Sequence, residues 1–268
     1  MTQRWRIANC GVVDRSRPLA FHFDGARYEG YRGDTLASAL LANGVHLVGR
    51  SFKYHRPRGI YGAGVDEPNA LVQLARGART EPNTRATTVE LYDGLVANSQ
   101  NCWPSVRFDV GAIANALSPL LPAGFYYKTF MWPPTPHAWL RYEHYIRRAA
   151  GMGRSAVEAD PERYEHQYAH CDVLVIGGGI AGLSAARTAA RSGARVIVCQ
   201  QSPQFASSTL AEQSDDAARE WSAEVRNELA AQPHVTLLTR TTAYGYYDGN
   251  LIGAVERITD HQPEPPSH

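Results

Sequence analysis

Cysteine and long apolar runs are scarce in this 268-residue chain. The four cysteines, Cys10, Cys102, Cys171 and Cys199, are scattered and include no CxxC pair. This pattern argues against a metal or cluster site built by local spacing and against a disulfide framework, and it is typical of a reducing compartment. No apolar run reaches the roughly 18 residues of a membrane helix, and the N-terminus lacks the apolar core of a signal peptide. We therefore expect a cytoplasmic protein with no membrane segment.

An excess of charge of either sign is also missing. Lysine and arginine together number 27 against 26 aspartates and glutamates, which gives a formal net charge of +1. A nearly neutral chain offers no electrostatic basis for binding nucleic acid or an anionic membrane. The length suffices for one large domain or two modest ones.

Residues 1–98 predict a small β-grasp domain. Asp24-Gly25 lies between alternating residues and predicts a hairpin over 18–31. We expect a short helix next, capped by Asp34 and ended by Gly44. Returning strands are expected after this helix, at 70–76 and at 86–91, where a helix is the alternative.

Residues 99–170 combine many prolines with many aromatic side chains, above all in 118–145. The prolines exclude long regular elements, and the aromatics argue against a free linker. We predict an ordered connecting arm that packs on other protein and closes with a helix over 137–151. Its histidines show no metal-ligand spacing; they are His137, His144, His166 and His170.

Residues 171–268 predict alternating buried strands and helices. "CDVLVIG" is a continuous apolar run, as expected for a strand that is buried on both faces of a parallel sheet. The segments after it predict a helix that ends at Gly193, a second strand, an amphipathic helix over 214–230, a third strand and a hairpin at Asp248-Gly249. These elements are the first half of a doubly wound Rossmann-type domain, so we expect the chain to be part of a longer protein.

A glycine-rich turn joins the first of these strands to its helix and has the GxGxxG pattern of dinucleotide-binding sites. In this pattern Gly177 allows the tight turn, Gly179 lets a pyrophosphate approach the backbone, and Gly182 lets the helix pack on the strand. The predicted cofactor-binding residues of the turn are Gly177, Gly178, Gly179, Ile180, Ala181 and Gly182.

The second strand ends on Gln200 and Gln201, where such a domain usually places a ribose-binding carboxylate. A neutral amide bonds a ribose hydroxyl less strongly than a carboxylate does, by about 1 to 2 kcal/mol. NADP would need an arginine nearby, and 200–213 contain none. We include both glutamines among the cofactor-binding residues and expect the site to be weak or empty.

Several segments together resemble the alpha subunit of heterotetrameric sarcosine oxidase. The segments that carry the resemblance are 33–60, 67–74, 124–133, 171–198 and 244–261. The resemblance implies a subunit of an oxidoreductase that demethylates sarcosine to glycine, with hydrogen peroxide and with formaldehyde or methylene-tetrahydrofolate as products. It implies NAD on this chain, FMN or FAD on a partner subunit or at an interface, and beta, gamma and delta partner subunits. It implies no catalytic residue in this chain, and the residue spacing predicts no metal ligand.

The β-grasp domain resembles a [2Fe–2S] ferredoxin domain, and the resemblance places the cluster loop at 59–71. That loop has no cysteine and such a cluster needs four thiolates, so we expect no iron–sulfur cluster. The chain also departs from the family at Gln200-Gln201 and at Phe205-Ala206-Ser207, where acidic residues and paired glycines are usual.

Two alternatives to a nucleotide-binding subunit stay open. In the first alternative, the chain is a truncated or decayed interaction module without nucleotide. In the second, it is part of a related opine or amino-acid oxidase. The basic segment 49–59 suits a phosphate or an acidic partner surface, with a solvated loop as the alternative, and we favour partner docking. Its cations are Arg50, Lys53, His55, Arg56 and Arg58.

Overall fold

The computed structural model describes residues 3–8, 11–75, 77–120, 124, 130, 132–207 and 216–262. The chain forms two compact units. The first contains 1–8 and 13–162, and the second contains 9–12 and 163–268. Among the helices of these ranges, none has the length and apolarity that crossing a membrane requires.

A five-stranded sheet forms the frame of the first unit. Its strands are β1 (Asp14–Phe23), β2 (Ala26–Arg32), β5 (Leu71–Leu74), β6 (Glu81–Arg85) and β7 (Val96–Ser99). They lie in the order β2-β1-β7-β5-β6. A short pair, β3 (Gly49–Arg50) and β4 (Pro57–Arg58), lies between β2 and β5 in sequence. The β1–β2 hairpin turns at Asp24 and Gly25, which both have positive φ, and this confirms the hairpin prediction.

Helix α1 (Leu36–Ala42) buries one face in the core of this unit. Its N-cap is Thr35, whose side chain accepts from the Ser38 N–H, so the prediction of Asp34 as the cap is wrong. The Asp34 carboxylate instead accepts from the Ser38 hydroxyl at 2.7 Å and pairs with Arg6 at 2.6 Å. Gly44 follows the helix with φ +78°, as its position predicts.

Residues 86–91 form neither the strand nor the helix expected there. Their backbone instead meets the start of α1, where Leu36 N–H donates to the Val89 carbonyl and Ala37 N–H to that of Ala86. The apolar side chains of this segment are buried in the core, which is why its sequence resembles that of a strand; they are Ala86, Val89 and Leu91. The predicted strand at 70–76 is confirmed as β5.

The later part of the first unit contains α2 (Ile113–Ala116) and α3 (Pro136–Ala150). Helix α3 is capped at its N-terminus by Thr135, whose hydroxyl accepts from Ala138 N–H, and at its C-terminus by Gly151 with φ +65°. The helix predicted at 137–151 is therefore confirmed. Most of the aromatic segment 124–133 lies outside the described residues.

The second unit is built on a three-stranded parallel sheet. Its elements are β8 (Val173–Ile176), α4 (Ile180–Arg191), β9 (Val196–Cys199), α5 (Asp216–Ala230) and β10 (Val235–Leu238). The strands lie in the order β10-β9-β8. A hairpin of β11 (Thr241–Tyr247) and β12 (Leu251–Glu256) follows. Leu183 of α4 and Leu229 of α5 are fully buried with Val198 of β9, so the predicted strand–helix alternation packs around one core. Ser214, predicted near the start of α5, lies outside the described residues.

Candidate functional site

The candidate site is the turn between β8 and α4. Gly177 follows the last residue of β8 with φ +100°, and its N–H donates to the Cys199 carbonyl at 2.8 Å. That bond joins the start of the turn to the end of β9. Residues with an L side chain rarely adopt this φ, so the backbone can turn at position 177 because the residue there is a glycine.

Gly182 lets α4 lie close to the turn that precedes it. A Cβ atom at this position would lie 1.8 Å from the Gly177 carbonyl oxygen. The close approach predicted for this glycine is therefore present, and a methyl group is excluded by backbone rather than by a movable side chain.

Gly179 is the N-cap of α4 and has no capping side chain. A Cβ placed on it would meet nothing within 4 Å, and the next two residues, Ile180 and Ala181, are exposed. The first amides of a helix lack intrahelical partners and carry a partial positive charge. The start of α4 therefore offers uncapped N–H groups beside open space, which suits an anionic ligand such as a diphosphate.

Gly178 is buried, and both its backbone N–H and its backbone carbonyl form hydrogen bonds. Its N–H donates to Oε1 of Gln200 at 2.7 Å, and its carbonyl accepts from the Ala206 N–H at 2.7 Å. The Phe205 ring packs against it, since a Cβ on Gly178 would lie 2.2 Å from Cδ1 of that ring. The segment after β9 therefore fixes the middle of the turn.

Gln200 and Gln201 lie directly after β9 and beside this turn. The Gln200 backbone bonds Leu238 O and Thr241 N, both at 2.8 Å. The Gln201 carbonyl accepts from the Arg257 guanidinium at 3.0 Å. The structure thus brings the end of β9 to the glycine turn, as expected, but it engages the Gln200 side chain with protein.

The sequence analysis assigned no role to Ser202. Its hydroxyl accepts from Nε2 of Gln200 at 2.5 Å and lies 3.0 Å from the Ser207 hydroxyl. Phe205, Ala206 and Ser207 were noted only as departures from a family pattern. Ala206 has a positive φ, and the local sequence pattern does not predict this backbone conformation.

The basic segment 49–59 is only partly available for docking. Arg50 donates to the Val106 carbonyl at 2.8 Å, and His55 is buried. Lys53 and Arg56 both lie over the Tyr54 ring, at 4.8 and 4.7 Å from its centroid. Arg56 and Arg58 are exposed and bond the side-chain oxygens of Asn115 and Asn69, respectively.

Glu67 organises the loop 59–71, and the sequence did not single it out. Its carboxylate is 1% exposed and accepts backbone N–H bonds from Tyr61, Gly62, Asn69 and Ala70. Burial acts to raise the pKa of this carboxyl, but the four donors outweigh burial and hold the pKa below the usual 4.5.

Two protein-family models match this chain. The 2Fe-2S iron-sulfur cluster binding domain matches residues 16–102, and the FAD binding domain matches residues 172–220. The second match contains the whole glycine turn and both glutamines after β9.

The chain is similar to sarcosine oxidase alpha subunits. It is 57% identical to that of Rhizobium meliloti (strain 1021) over 98% of this chain, which covers 27% of that subunit. It is 36% identical to that of Corynebacterium sp. (strain U-96) over 94% of this chain and 22% of that subunit. The resemblance stated from the sequence is confirmed, and the chain spans about a quarter of the length of these relatives.

A solved structure shares the fold. The crystal structure of L-proline dehydrogenase from P. horikoshii has a TM-score of 0.53 and 17% sequence identity, and it covers 93% of this chain and 40% of that chain. The mixed α/β class predicted from the sequence is therefore confirmed.

The family matches contradict the cofactor prediction. NAD was expected in the second unit, whereas the matching family binds FAD. The first unit was expected to have no iron–sulfur cluster, whereas it matches a family defined by a 2Fe-2S cluster. Both expectations are therefore wrong. NAD was implied by the family resemblance, and the glycine pattern itself is shared by NAD and FAD sites. The expectation of no cluster relied on a cysteine count alone.

The residues in the cluster-type match can be compared with the usual ligand set. A 2Fe–2S cluster takes four ligands, commonly thiolates. Residues 16–102 contain one cysteine, Cys102, and burial is the main cause that raises the pKa of its thiol. The residues of this range therefore do not supply four thiolates.

Proposed function

We propose, on the premise that this chain is similar over nearly its whole length to sarcosine oxidase alpha subunits, that it is the FAD-binding part of an oxidoreductase subunit. The substrate class is an amine that carries a CH–NH group, and sarcosine is the proposed member. In the proposed overall reaction, sarcosine is oxidatively demethylated to glycine, and oxygen is reduced to hydrogen peroxide. The methyl carbon leaves as formaldehyde after addition of water, or as methylene-tetrahydrofolate when tetrahydrofolate accepts it. Because the chain spans about a quarter of its relatives, the reaction and the partners are proposed for the longer protein.

The uncapped start of α4 carries the proposal. The helix has 12 residues and begins at Ile180 without a side-chain cap at Gly179. Its free N–H groups and the helix dipole favour a diphosphate at this position. A strand, a glycine turn and a helix in this order are the elements that hold such a diphosphate in a Rossmann-type domain, the fold that we propose for 171–268.

The residues of this chain would bind and orient the cofactor. The N–H groups at the start of α4 would hold the diphosphate, and Gly179 would keep the approach to them open. A bound flavin supplies the acceptor for two electrons from the CH–NH donor. We assign no proton transfer to any residue of this chain, in keeping with the prediction that it contains no catalytic residue.

Partner subunits of the beta, gamma and delta types complete the proposed enzyme. The exposed cations Arg56 and Arg58 support a contact with an acidic protein surface, since the side chains that contact them are neutral. These are Asn115 and Tyr54 for Arg56 and Asn69 for Arg58. The relatives are themselves alpha subunits, which is consistent with such an assembly.

Equilibrium binding of FAD to the 268-residue chain tests the proposal, with riboflavin as the control because it lacks the diphosphate. We expect FAD to bind with a Kd below about 100 µM and at least about tenfold more tightly than riboflavin. Equal affinity for the two would show that the start of α4 is not the site. Failure to bind FAD at millimolar concentration would contradict the proposal.

A second candidate function is a non-catalytic interaction module. One observation favours it: the Gly178 N–H, which lies in the middle of the turn, already donates to a protein side chain. In this case the turn serves the fold, and the chain contributes only shape and partner contacts. The same FAD measurement separates the two, since the module would bind neither ligand.

A further inference from the structure

Side-chain hydrogen bonds join segments 49–59 and 103–117 into one surface of the first unit, which we call the α2 surface after the helix in the second segment. The bonds are from Arg50 to the Val106 carbonyl at 2.8 Å, between His55 and the Asp109 carboxylate at 2.6 Å, and from Arg56 to the Asn115 side-chain oxygen at 2.8 Å. The Asp109 carboxylate also accepts the backbone N–H groups of Trp103 and Gly111. The backbone beneath the α2 surface is therefore held by contacts within the chain.

The α2 surface exposes several large apolar side chains. Trp103 and Phe108 are each 70% exposed, and Ile113 of α2 is 66% exposed. Val110 is half-exposed, and its N–H donates to the Trp103 carbonyl at 2.8 Å, so 103–110 folds back on itself and brings these residues close together. Single apolar side chains are normal on a protein surface, whereas a group of them beside polar residues is typical of a contact with another macromolecule.

The exposed charges of the α2 surface are all positive. Arg56, Arg58 and Arg107 are exposed, and Arg50 and Lys53 are half-buried. Asp109 is the one acidic residue in the sequence of the two segments, and its carboxylate is buried against the His55 imidazole. No exposed carboxylate within these segments therefore offsets the arginines.

We propose that the α2 surface is the docking site for a protein whose own surface combines carboxylates with apolar side chains, and that this partner is a subunit of the oxidase on which the proposed function rests. Carboxylates would pair with the exposed arginines, and a basic surface would be repelled, because potentials of opposite sign face each other across protein interfaces. Aromatic and arginine side chains are also residue types that protein interfaces concentrate.

The two kinds of side chain would contribute to docking in different ways. The exposed arginines would speed association and reject partners of the wrong charge, and salt would weaken their effect. The apolar side chains would supply favourable free energy through removal of their surface from water. A nucleic acid would use the cations and the aromatic rings but would leave Val110 and Ile113 in water, so the observations favour a protein.

Photo-cross-linking in the assembled enzyme tests the docking site. The longer protein is co-expressed with the beta-, gamma- and delta-type subunits, and Phe108 is replaced by p-benzoylphenylalanine, which keeps an aromatic ring at this exposed position. Mass spectrometry then identifies the peptide that is attached to residue 108. We expect a peptide of a partner subunit that contains both carboxylates and apolar side chains.

Charge reversal tests the arginines. We expect Arg56→Glu to lower the yield of this cross-link at least about fivefold, because the new carboxylate would face carboxylates of the partner. Arg226→Glu on α5 is the matched control, since Arg226 is also exposed and also contacts an asparagine side chain, and it should leave the yield within about twofold. Arg107→Glu repeats the test without removing the contact between Arg56 and Asn115, in case Arg56→Glu disturbs α2.

Salt separates the apolar contribution from the charged one. We expect Ile113→Ser to lower the yield about threefold or more at both about 50 mM and about 500 mM NaCl, since burial of apolar surface is not screened. The loss in Arg56→Glu should shrink at the higher salt concentration. Equal yields in the parent, Arg56→Glu and Arg107→Glu would overturn the acidic character of the partner.

The identity of the cross-linked molecule decides the rest. Attachment to nucleic acid, to a second copy of the chain or to another segment of the same longer protein would overturn the docking site. The same holds if no cross-link forms, or if the partner subunits do not co-purify with the parent protein. The FAD measurement fails separately: a cross-link to an acidic partner without FAD binding would refute the proposed function and leave the docking site standing.

Discussion

His55 and Asp109 are 54 positions apart in sequence and form a buried pair, with Nδ1 of the imidazole 2.6 Å from Oδ2 of the carboxylate. The pair joins the basic segment 49–59 to the residues that precede α2. Nε2 of the same ring lies 3.1 Å from the Ala149 carbonyl, so the imidazole also reaches the end of α3. His55, which the basic character of segment 49–59 suggested as a residue for partner docking, is thus part of the interior.

Replacement of His55 should destabilise the first unit. We expect His55→Ala to lower the free energy of unfolding by about 3 kcal/mol, because it leaves the buried Asp109 carboxylate without this partner. Denaturant unfolding followed by tryptophan fluorescence measures the change. His166→Ala is the matched control, since His166 is exposed, and it should leave the midpoint unchanged. Equal stability of the two variants would contradict a structural role for the pair.

Glu67 should stabilise the loop 59–71 through its charge. Glu67→Gln keeps the shape but turns an NH₂ group toward backbone N–H donors, so we expect a loss of about 3 kcal/mol in unfolding free energy. Glu81→Gln, on the exposed face of β6, is the matched control and should change stability by less than about 0.5 kcal/mol. A loss in both variants would show that the effect does not come from the four-donor contact.

The same carboxylate predicts how stability depends on pH. The pKa of Glu67 is lower in the folded chain than its usual 4.5, so the folded state favours the ionised form. Its contribution is therefore fully present above about pH 4.5 and is lost as pH falls through the lower, folded-state pKa. Unfolding curves between pH 7 and pH 3 should show a smaller loss in Glu67→Gln than in the parent chain. Parallel curves for the two chains would contradict this assignment.

Two glycines of the turn should respond to the same substitution in different ways. Gly182→Ala should destabilise the second unit by about 3 kcal/mol or more, because the new methyl group would meet the Gly177 carbonyl oxygen. Gly179→Ala has room and suitable backbone angles, so the fold should persist. Its methyl group would stand before the uncapped amides, and we expect FAD affinity to fall at least about tenfold. Thermal unfolding and FAD titration of both variants measure the two effects, and unaltered FAD affinity in Gly179→Ala would contradict the proposed diphosphate position.

An exposed ion pair at the base of the parallel sheet predicts a titration. The Arg195 guanidinium, which donates to both carboxylate oxygens of Asp172, lowers the pKa of Asp172 from 3.8 to about 2. Carboxyl ¹³C NMR should find this midpoint, and Arg195→Gln should return it toward 3.8. Arg187→Gln is the control, because Arg187 pairs with Glu228, and it should leave the Asp172 midpoint at about 2. A midpoint that is unmoved in Arg195→Gln would refute the cause.

Local patterns predicted much of this fold because they depend on residues that are close in sequence. The Asp24-Gly25 hairpin, the helix that ends at Gly151 and the turn at Gly177 all follow from backbone preferences of a few neighbouring residues. The order of strands and helices in the second unit follows from the apolar period, since each element buries one stripe or both faces.

Predictions failed where two neighbouring residues suit the same structural position, where a composition suits more than one structure, or where one motif binds more than one cofactor. Asp34 and Thr35 both suit a helix cap, and the position of Arg6 draws Asp34 into an ion pair. The segment 86–91 has the composition of a strand, but its carbonyls serve the first amides of α1. The glycine turn suits any dinucleotide, so the pattern alone did not identify NAD as the cofactor.

The sequence by itself determined the glycine turn, the helix that begins at it and the neutral pair after β9. Only the tertiary structure decided what that pair does, because Gln200 meets Gly178 across 22 positions and only through the pairing of β8 with β9. Hydrogen bonds and burial depend on distance in space, and strand register sets that distance. The structural roles of His55 and Glu67 likewise follow from partners that only the folded chain shows. Asp109, the partner of His55, lies 54 positions away in sequence, and the backbone donors to Glu67 come together in the folded loop.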